Sequence, residues 1–181
     1  MTVQTRICAK TGNQAATRQD MMSLLPDLRG FARFLVRDRV AADDLVQDTV
    51  VQALGALSQF QPGTNLKAWL FTILRNQFFA QARRRKREAE LLQAHFQPEE
   101  TSVSGDDLAD IGDLQRMLWT LPPLLREALV LVGAQELSYD EAAAICAVPV
   151  GTMKARVSRA RAALARIMED RSVEPAVSVH A

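Results

Sequence analysis

Several features that mark common protein classes are scarce in this chain of 181 residues. Its two cysteines, Cys8 and Cys146, lie far apart, and neither has a histidine at metal-ligand spacing, so the sequence favours neither a disulfide framework nor a zinc site. We expect Cys146 to be buried and inert and Cys8 to be exposed. The two histidines, His95 and His180, are isolated, and we assign them no chemistry. The sequence therefore predicts no metal and no cofactor.

Long apolar runs are also missing. No stretch approaches the roughly 20 residues that a membrane-spanning helix needs, and the N-terminal MTVQTRICAKTGNQ lacks the apolar segment of a secretion signal. We therefore expect a cytoplasmic protein that makes no use of a membrane. Hydrophobic residues still make up 48% of the chain, which is enough for packed cores. Alternating β-branched residues are scarce and apolar residues at helical spacing are common, so the fold class is predicted to be all-α.

An excess of one charge is missing as well, since the net charge is only +1, but the charges are segregated along the chain. Residues 75–87 contain Arg and Lys and no acid, and residues 154–166 are again basic. Between them, residues 88–115 contain acids and neither Lys nor Arg. This arrangement predicts two surfaces for a polyanion, joined by an acidic linker that avoids them.

The composition of residues 97–107, QPEETSVSGDD, is typical of a flexible linker because Pro, Ser, Gly and acids dominate it. We therefore expect two small helical domains. The predicted segments are a flexible tail at residues 1–18, a first domain at 19–92, a linker at 93–109, a second domain at 110–170 and a flexible tail at 171–181.

Breaks in the helical pattern indicate where helices of the first domain begin and end. Pro26 and Gly30 interrupt residues 21–36, which predicts a helix pair or a kinked helix. Pro62 and Gly63 break the pattern again before a helix that starts near Leu66. The helix between these breaks, AADDLVQDTVVQALGAL, should bury one apolar stripe and expose a polar side. The stripe consists of Val46, Val50, Ala53, Leu54 and Leu57.

The second domain has the pattern of a helix-turn-helix. Two helices are expected on either side of Pro122 and Pro123, since a proline can open a helix. Ser138 and Glu141 have the spacing of a capping box, in which each side chain satisfies a free amide at a helix start. A short helix, a tight turn and the basic helix PVGTMKARVSRARAAL follow, which is the order of a helix-turn-helix.

The basic helix has one apolar face and one cationic face. At about 100° per residue, Met153, Val157, Ala160, Leu164 and Ile167 share a side that should be buried. A solvated amphipathic helix would show the same periodicity, but the capping box and the turn favour a DNA reader. The residues on or beside the opposite side are predicted to contact DNA: Thr152, Lys154, Ala155, Arg156, Ser158, Arg159 and Arg161.

A helix fits the major groove with its central face toward the base edges and its margins toward the phosphates. Arg159 is central and long, so we expect it to read a base, with guanine as the expected partner. Lys154, Arg156 and Arg161 stand at the margins and are expected to contact phosphates.

These segments together resemble a known family. PVGTMKARVSRARAAL, preceded by LPPLLREALVLVGAQELSYDEAAAI, resembles the fourth conserved region of extracytoplasmic-function sigma factors of the sigma-70 family. DDLVQDTVVQALGALSQFQPGTNLKAWLFTILRN resembles the second conserved region, and FQPGTNLKAWLFTILRN is similar to the alphaproteobacterial general-stress subgroup. The resemblance covers about residues 20–168. It implies a non-catalytic subunit that binds core RNA polymerase, recognises a promoter and opens it.

The resemblance also implies where the polymerase binds. In the family, the polar side of the DDLVQD helix contacts the coiled coil of the beta-prime subunit, and the beta flap is a further polymerase contact. An alternative is that these acids only solvate the helix and favour its N-terminal dipole. The residues nominated for the polymerase are Asp43, Asp44, Gln47 and Asp48.

The next segment is expected, by the same resemblance, to read and melt the minus-ten element. Such a protein needs a pocket for an extruded base and a cationic track for the single strand. The FQPGTN loop and its neighbours supply the pocket, and the basic residues that follow, including Lys86 and Arg87, supply the track. For Trp69 both a core position and a DNA contact stay open. The nominated residues are Asn65, Lys67, Trp69, Arg75, Asn76, Arg83, Arg84 and Arg85.

The resemblance further implies restraint by an anti-sigma protein, and no small-molecule substrate. One alternative is an ordinary helix-turn-helix repressor or activator, which would explain residues 110–168 but not the first domain. Another is a nuclease that holds metal with Asp43, Asp44 and Asp48. The sequence disfavours it, because these side chains spread around a helix and no second acidic cluster accompanies them.

Overall fold

The computed structural model describes residues 16–93 and 113–172, and within these ranges it contains helices and connecting turns but no strand. The chain divides into two compact units, Met1–Ser104 and Gly105–Ala181. The all-α prediction is confirmed. Cys8, His95, His180 and the linker composition at residues 97–107 lie outside the described residues, so the predicted domain boundaries stay predictions.

Residues 16–93, the part of the first unit that the structure describes, form four α-helices. Proline lies in the first turn of α2, where its missing N–H removes no helical hydrogen bond, so α1 and α2 form the predicted pair. Gly30 was expected to interrupt the segment, but it lies inside α2, because a single glycine weakens a helix without ending it. The elements are α1 at residues 16–23, α2 at Leu25–Leu35, α3 at Arg39–Gly55, a 3₁₀ turn at Leu57–Gln59 and α4 at Leu66–Gln93.

The core of the first unit lies between α2, α3 and α4. The rings of Phe31 and Phe71 meet at its centre, with centroids 5.0 Å apart. The predicted stripe of α3 is partly wrong: Leu54 is exposed, and Leu45 is buried in its place because the buried face of α3 is rotated from the expected one. The principal buried side chains are Leu28, Phe31, Leu45, Val46, Ala53, Leu70, Phe71 and Leu74.

A tight turn sets the start of α4. Gly63 has a φ of +90°, a left-handed conformation that a residue with a Cβ rarely adopts. The Thr64 amide donates to the Gln61 carbonyl at 3.2 Å, which closes the turn around Pro62 and Gly63. The helix then begins under a cap, since the Asn65 Oδ1 accepts a hydrogen bond of 3.1 Å from the Ala68 amide.

Residues 113–172 of the second unit form four further α-helices. The predicted split is confirmed, since Pro123 opens α6. A π-type turn follows α6 and was not predicted, because the apolar spacing of VLVGA also fits a continuing helix. The elements are α5 at Asp113–Thr120, α6 at Pro123–Leu129, the π turn at Val130–Ala134, α7 at Tyr139–Cys146 and α8 at Val150–Ser172.

The core of the second unit packs α6 and α7 against α8, and its centre includes Leu131 and Met153. An aromatic side chain shields one buried cation there: the Arg126 guanidinium lies 3.7 Å from the centroid of the Trp119 ring. Cys146 is buried, as the sequence predicts.

Candidate nucleic-acid and polymerase interfaces

The helix-turn-helix begins with a complete capping box. The Ser138 Oγ accepts a hydrogen bond of 3.2 Å from the Glu141 amide, and the Ser138 amide donates to the Glu141 Oε2 at 2.8 Å. Two backbone donors at the start of α7 are thereby satisfied. The capping box predicted from the sequence is confirmed.

The turn between α7 and α8 is short, and one of its residues, Ala147, has a left-handed backbone conformation. Ala147 has φ 52° and ψ 47°, and the Val148 amide donates to the Ala143 carbonyl at 3.0 Å. A non-glycine residue in this conformation costs about 1–2 kcal/mol, so the surrounding packing must hold it in place. The turn fixes the direction in which α8 leaves α7.

The buried face of α8 has the predicted register. Met153, Val157 and Ala160 are fully buried, whereas Leu164 and Ile167 are only half-buried. Burial therefore declines toward the C-terminal end of α8. The N-terminal half of the helix is the half that is firmly held in the domain.

The opposite face of α8 reaches solvent. The Arg159 Nε donates to the Ala155 carbonyl at 3.3 Å, so the guanidinium stem lies along its own helix. The Lys154 Nζ lies 5.9 Å from the centroid of the Tyr139 ring on α7. Thr152 and Arg156 are half-buried, and the other predicted contacts are exposed. Five of the seven predicted DNA contacts are therefore exposed along α8, namely Lys154, Ala155, Ser158, Arg159 and Arg161, while Thr152 and Arg156 lie at the margin beside the buried stripe.

The polar side of α3 is exposed at all of the residues nominated for the polymerase. Asp43 forms an ion pair with Arg29, at 3.6 Å, and both side chains are about half exposed, so solvent weakens the pair. The Asp48 carboxylate accepts a hydrogen bond of 3.3 Å from Gln81 on α4. Asp44 and Gln47 therefore form the most outward part of the polar side. Within the residues that the structure describes, no three His, Cys, Asp or Glu side chains are grouped to hold a metal ion.

Sequence reasoning missed an apolar component of this surface. Val40, Val51 and Leu54 are 69%, 65% and 41% exposed and lie on the same side of α3 as Asp44 and Gln47. Their positions follow helical spacing along the side, which is the signal that could have identified them. Exposed apolar side chains beside polar ones are typical of a protein-binding surface.

The candidate minus-ten residues of α4 do not share one face. Trp69, Asn76 and Arg83 are spaced at intervals of seven residues, which places them along one side of the helix. The Trp69 ring is half-buried against Phe60, with centroids 5.3 Å apart. The Arg75 guanidinium lies 4.5 Å from the centroid of the Phe79 ring, at the edge of the same side.

Two of the nominated residues have intramolecular partners at the start of α4. Asn65 caps the helix through Ala68, as described above. The Lys67 Nζ lies 2.8 Å from Asp27 Oδ2 on α2, and the lysine side chain is only 24% exposed. Both residues therefore help to hold the start of α4 in place.

Arg84 lies at the flank of the side that contains Arg83, and Arg85 points away from it, since each step along the helix rotates the side chain by about 100°. Arg84 Nε donates to Glu88 Oε1 at 2.7 Å. This hydrogen bond and the attraction of the carboxylate raise the pKa of Arg84 above its ordinary value. Only Arg83, of the three consecutive arginines, continues the side occupied by Trp69 and Asn76.

Comparisons with known proteins agree with this geometry. The Sigma-70 region 2 family matches residues 21–88, and the Sigma-70 region 4 family matches residues 111–164. The chain is 45% identical over 152 residues to the ECF RNA polymerase sigma factor EcfG of Rhodopseudomonas palustris, a match that covers 83% of this chain and 84% of the relative.

Two solved structures extend the comparison. The sigma factor RpoE in complex with the anti-sigma factor NepR, from Bartonella quintana, has a TM-score of 0.70 and 40% identity, covering 87% of this chain and 97% of that chain. CnrH in complex with the cytosolic domain of CnrY has a TM-score of 0.64 and 30% identity, covering 91% and 94%. None of the helices in residues 16–93 and 113–172 has the length and apolar character needed to cross a membrane. The chain belongs to the extracytoplasmic-function sigma factors of the sigma-70 family.

Proposed function

We propose that this sigma factor binds core RNA polymerase through α3, captures the opened minus-ten strand along α4 and reads the minus-thirty-five duplex with α8. The observation that carries the proposal is the orientation of α8. Met153, Val157 and Ala160 are buried, so Lys154, Arg159 and Arg161 reach solvent, with the half-buried Arg156 at the margin. A helix presented in this way can enter the major groove without rearrangement of its domain.

On α8, we assign Arg159 to a base edge and Lys154, Arg156 and Arg161 to phosphates. Arg159 lies between short side chains, Ala155 and Ala162, so a base edge could approach it closely. The lysine and the other two arginines flank this centre, where the two phosphate strands would run. Thr152, Ala155 and Ser158 complete the proposed contact surface.

On α4, the proposed strand-binding surface is the side formed by Trp69, Asn76 and Arg83. It combines an aromatic ring, an amide and a cation, the groups that stack, hydrogen-bond and attract a single strand. Arg84 and Arg85 would contribute phosphate attraction from the flank, and Arg75 would support Phe79. Asn65 and Lys67 would act indirectly, because the cap formed by Asn65 and the ion pair between Lys67 and Asp27 hold the start of the helix.

On α3, the proposed polymerase surface is centred on Asp44 and Gln47, with Val40 and Val51 at its ends. Asp43 and Asp48 would add contacts at the edge, although each already has an intramolecular partner. The proposed partner is the coiled coil of the beta-prime subunit. The second unit would contact the beta flap.

We further propose that an anti-sigma protein restrains this chain. The similar sigma factor RpoE was solved with the anti-sigma factor NepR, and CnrH was solved with the cytosolic domain of CnrY. The identity of 45% with EcfG supports a place in general stress control. The protein would act in the cytoplasm as a regulator of transcription and not as an enzyme.

Run-off transcription tests the proposal. Purified core polymerase is incubated with this chain and a library of DNA with randomised promoter positions, and the transcripts are sequenced. We expect transcripts only when the chain is present, enriched for one pair of spaced elements. Binding of the chain alone to an operator, with no transcripts from the reconstituted enzyme, would instead support the repressor alternative.

A further inference from the structure

A chain of polar side chains joins α3 to α4, running from the buried Thr49 through the half-buried Gln77 to the exposed Gln52. The Gln77 Nε2 donates to the backbone carbonyl of Asp48, at 3.1 Å, and to the Gln52 Oε1, at 2.7 Å. The Thr49 hydroxyl lies 3.3 Å from the Gln77 Oε1, and Gln81 reaches the Asp48 carboxylate one turn further along. Five side chains on two helices thus take part: Asp48, Thr49 and Gln52 on α3, and Gln77 and Gln81 on α4.

The donors and acceptors in this cluster are closely matched. A glutamine amide has two N–H donors, and those of Gln77 go to two different acceptors on α3. The single Thr49 proton is shared, because its hydroxyl also donates to the Leu45 carbonyl at 2.7 Å. Thr49 is fully buried, so its hydroxyl lies where an unsatisfied group would be unfavourable.

The location of the cluster relates it to both proposed surfaces of the first unit. Gln77 directly follows Asn76 and therefore sits about 100° around α4 from the proposed strand-binding side. Its partners belong to α3, whose other side is the proposed polymerase surface. The cluster thus fixes how far α4 is rotated relative to α3. A rotation of α4 would swing Asn76 and Arg83 away from their positions relative to a polymerase bound on α3.

We propose that Gln77 is a positioning residue, which holds α4 at the rotation that presents Asn76 and Arg83 to the opened strand while α3 is bound to the polymerase. This inference rests on the proposed function. Apolar burial is non-directional, whereas hydrogen bonds have a preferred geometry, so a satisfied polar network adds a constraint on orientation to that of core packing. The amide cluster therefore serves orientation more than stability, and the two contributions are separable by mutation.

The test uses holoenzyme assembled from core polymerase and three variants. Gln77→Leu removes both donors, Gln52→Leu removes one acceptor on α3, and the triple variant Thr49→Val, Gln52→Leu, Gln77→Leu replaces the cluster with apolar packing. Gln19→Leu, an exposed glutamine of α1, is the control. The probe is the fluorescent non-template strand of the most active promoter from the run-off selection. Core affinity and the melting temperature are measured in parallel.

Gln77→Leu removes three hydrogen bonds and is expected to weaken strand binding by at least about fivefold, the fold-change that corresponds to one net hydrogen bond, with core affinity unchanged. Gln52→Leu should produce part of this loss, and Gln19→Leu none. The triple variant should recover the melting temperature, since removing the polar side chains of Thr49, Gln52 and Gln77 together leaves none of the three without its side-chain partner. Its strand binding should stay reduced about fivefold by the same reasoning.

Three results would overturn the inference. Wild-type strand binding by Gln77→Leu would show that the amide has no effect, and full recovery of strand binding in the triple variant would show that the cluster only stabilises the fold. A loss with Gln77→Leu but none with Gln52→Leu would mean that Gln77 contacts the strand directly. Failure of the wild-type holoenzyme to bind the probe would instead show that the proposed function is wrong. The wild-type measurement therefore distinguishes failure of the proposed function from failure of this inference, which only the variants test.

Discussion

The two cationic segments of the chain, residues 83–87 in α4 and residues 154–166 in α8, differ in the acids around them. In α4, Arg84 and Lys86 each have a glutamate one turn later, with Nε to Oε1 at 2.7 Å and Nζ to Oε1 at 3.8 Å. The α8 segment contains no acid. The cations of α4 are thus partly neutralised within their own helix, whereas those of α8 are available to phosphates together.

The segments also differ in how they are supported. The cationic face of α8 lies directly opposite buried residues, so its backbone is fixed by the domain core. Residues 83–90 of α4 are exposed all around the helix. A duplex has a fixed groove and suits a rigid reader, while a single strand is flexible and tolerates an adjustable track. The difference in support is the physical basis for assigning duplex reading to α8 and strand capture to α4.

The largest expected effect comes from removing the support of α8. Met153→Ala deletes most of a fully buried side chain and should destabilise the second unit by about 2–5 kcal/mol. Met168→Ala in the same helix truncates a side chain that is 55% exposed, so it should change stability by less than about 0.5 kcal/mol. Thermal unfolding measures both. Equal losses in the two variants would show that α8 is not held as described.

The second prediction compares the proposed base contact of α8, Arg159, with a proposed phosphate contact, Lys154. Arg159→Ala should weaken binding of the selected minus-thirty-five duplex by about 1–3 kcal/mol and leave binding of a scrambled duplex nearly unchanged. Lys154→Ala should weaken both duplexes alike, because a phosphate contact is the same in every sequence. Holoenzyme binding to the two DNAs is compared by fluorescence anisotropy. The assignment is contradicted if both variants lose equally on both duplexes.

The third prediction tests whether the single strand binds one side of α4. Arg83→Ala should weaken strand binding by the holoenzyme more than Arg84→Ala, because Arg83 lies on the side of Trp69 and Asn76 and Arg84 is held by Glu88. The slope of log affinity against log salt should become shallower by about 0.7 for Arg83→Ala. Titrations at several salt concentrations measure it. Indistinguishable slopes for the two variants would mean that the track has no preferred side.

Sequence patterns predicted the parts of the structure that depend on neighbouring residues. The capping box at Ser138, the helix start at Pro123 and the buried side of α8 each follow from spacing within a few turns. The ion pair between Lys67 and Asp27 and the amide cluster at Gln77 were not predictable, since they depend on which distant residues packing brings together. The π turn at Val130–Ala134 was missed for a different reason, namely that its apolar pattern fits an ordinary helix equally well.

The smallest expected effect lies in the turn that directs α8. Ala147→Gly removes the left-handed strain of about 1–2 kcal/mol, while glycine adds about 0.5–1 kcal/mol of unfolded-state entropy. The net result should be a stabilisation of about 0.5 kcal/mol. Ala144→Gly, at an exposed position inside α7, should instead destabilise by about 1 kcal/mol.

The opposite signs of these two substitutions make the comparison informative, because both remove the same methyl group from residues only three positions apart. Chemical denaturation of the full chain measures the difference, and binding to the minus-thirty-five duplex reports whether the turn still directs α8. Stabilisation with unchanged duplex binding is expected, since the helix packing already fixes the turn. A destabilised Ala147→Gly variant would show that the strain is absent. A stabilised variant with weaker duplex binding would show that the alanine restricts the direction in which α8 enters the groove.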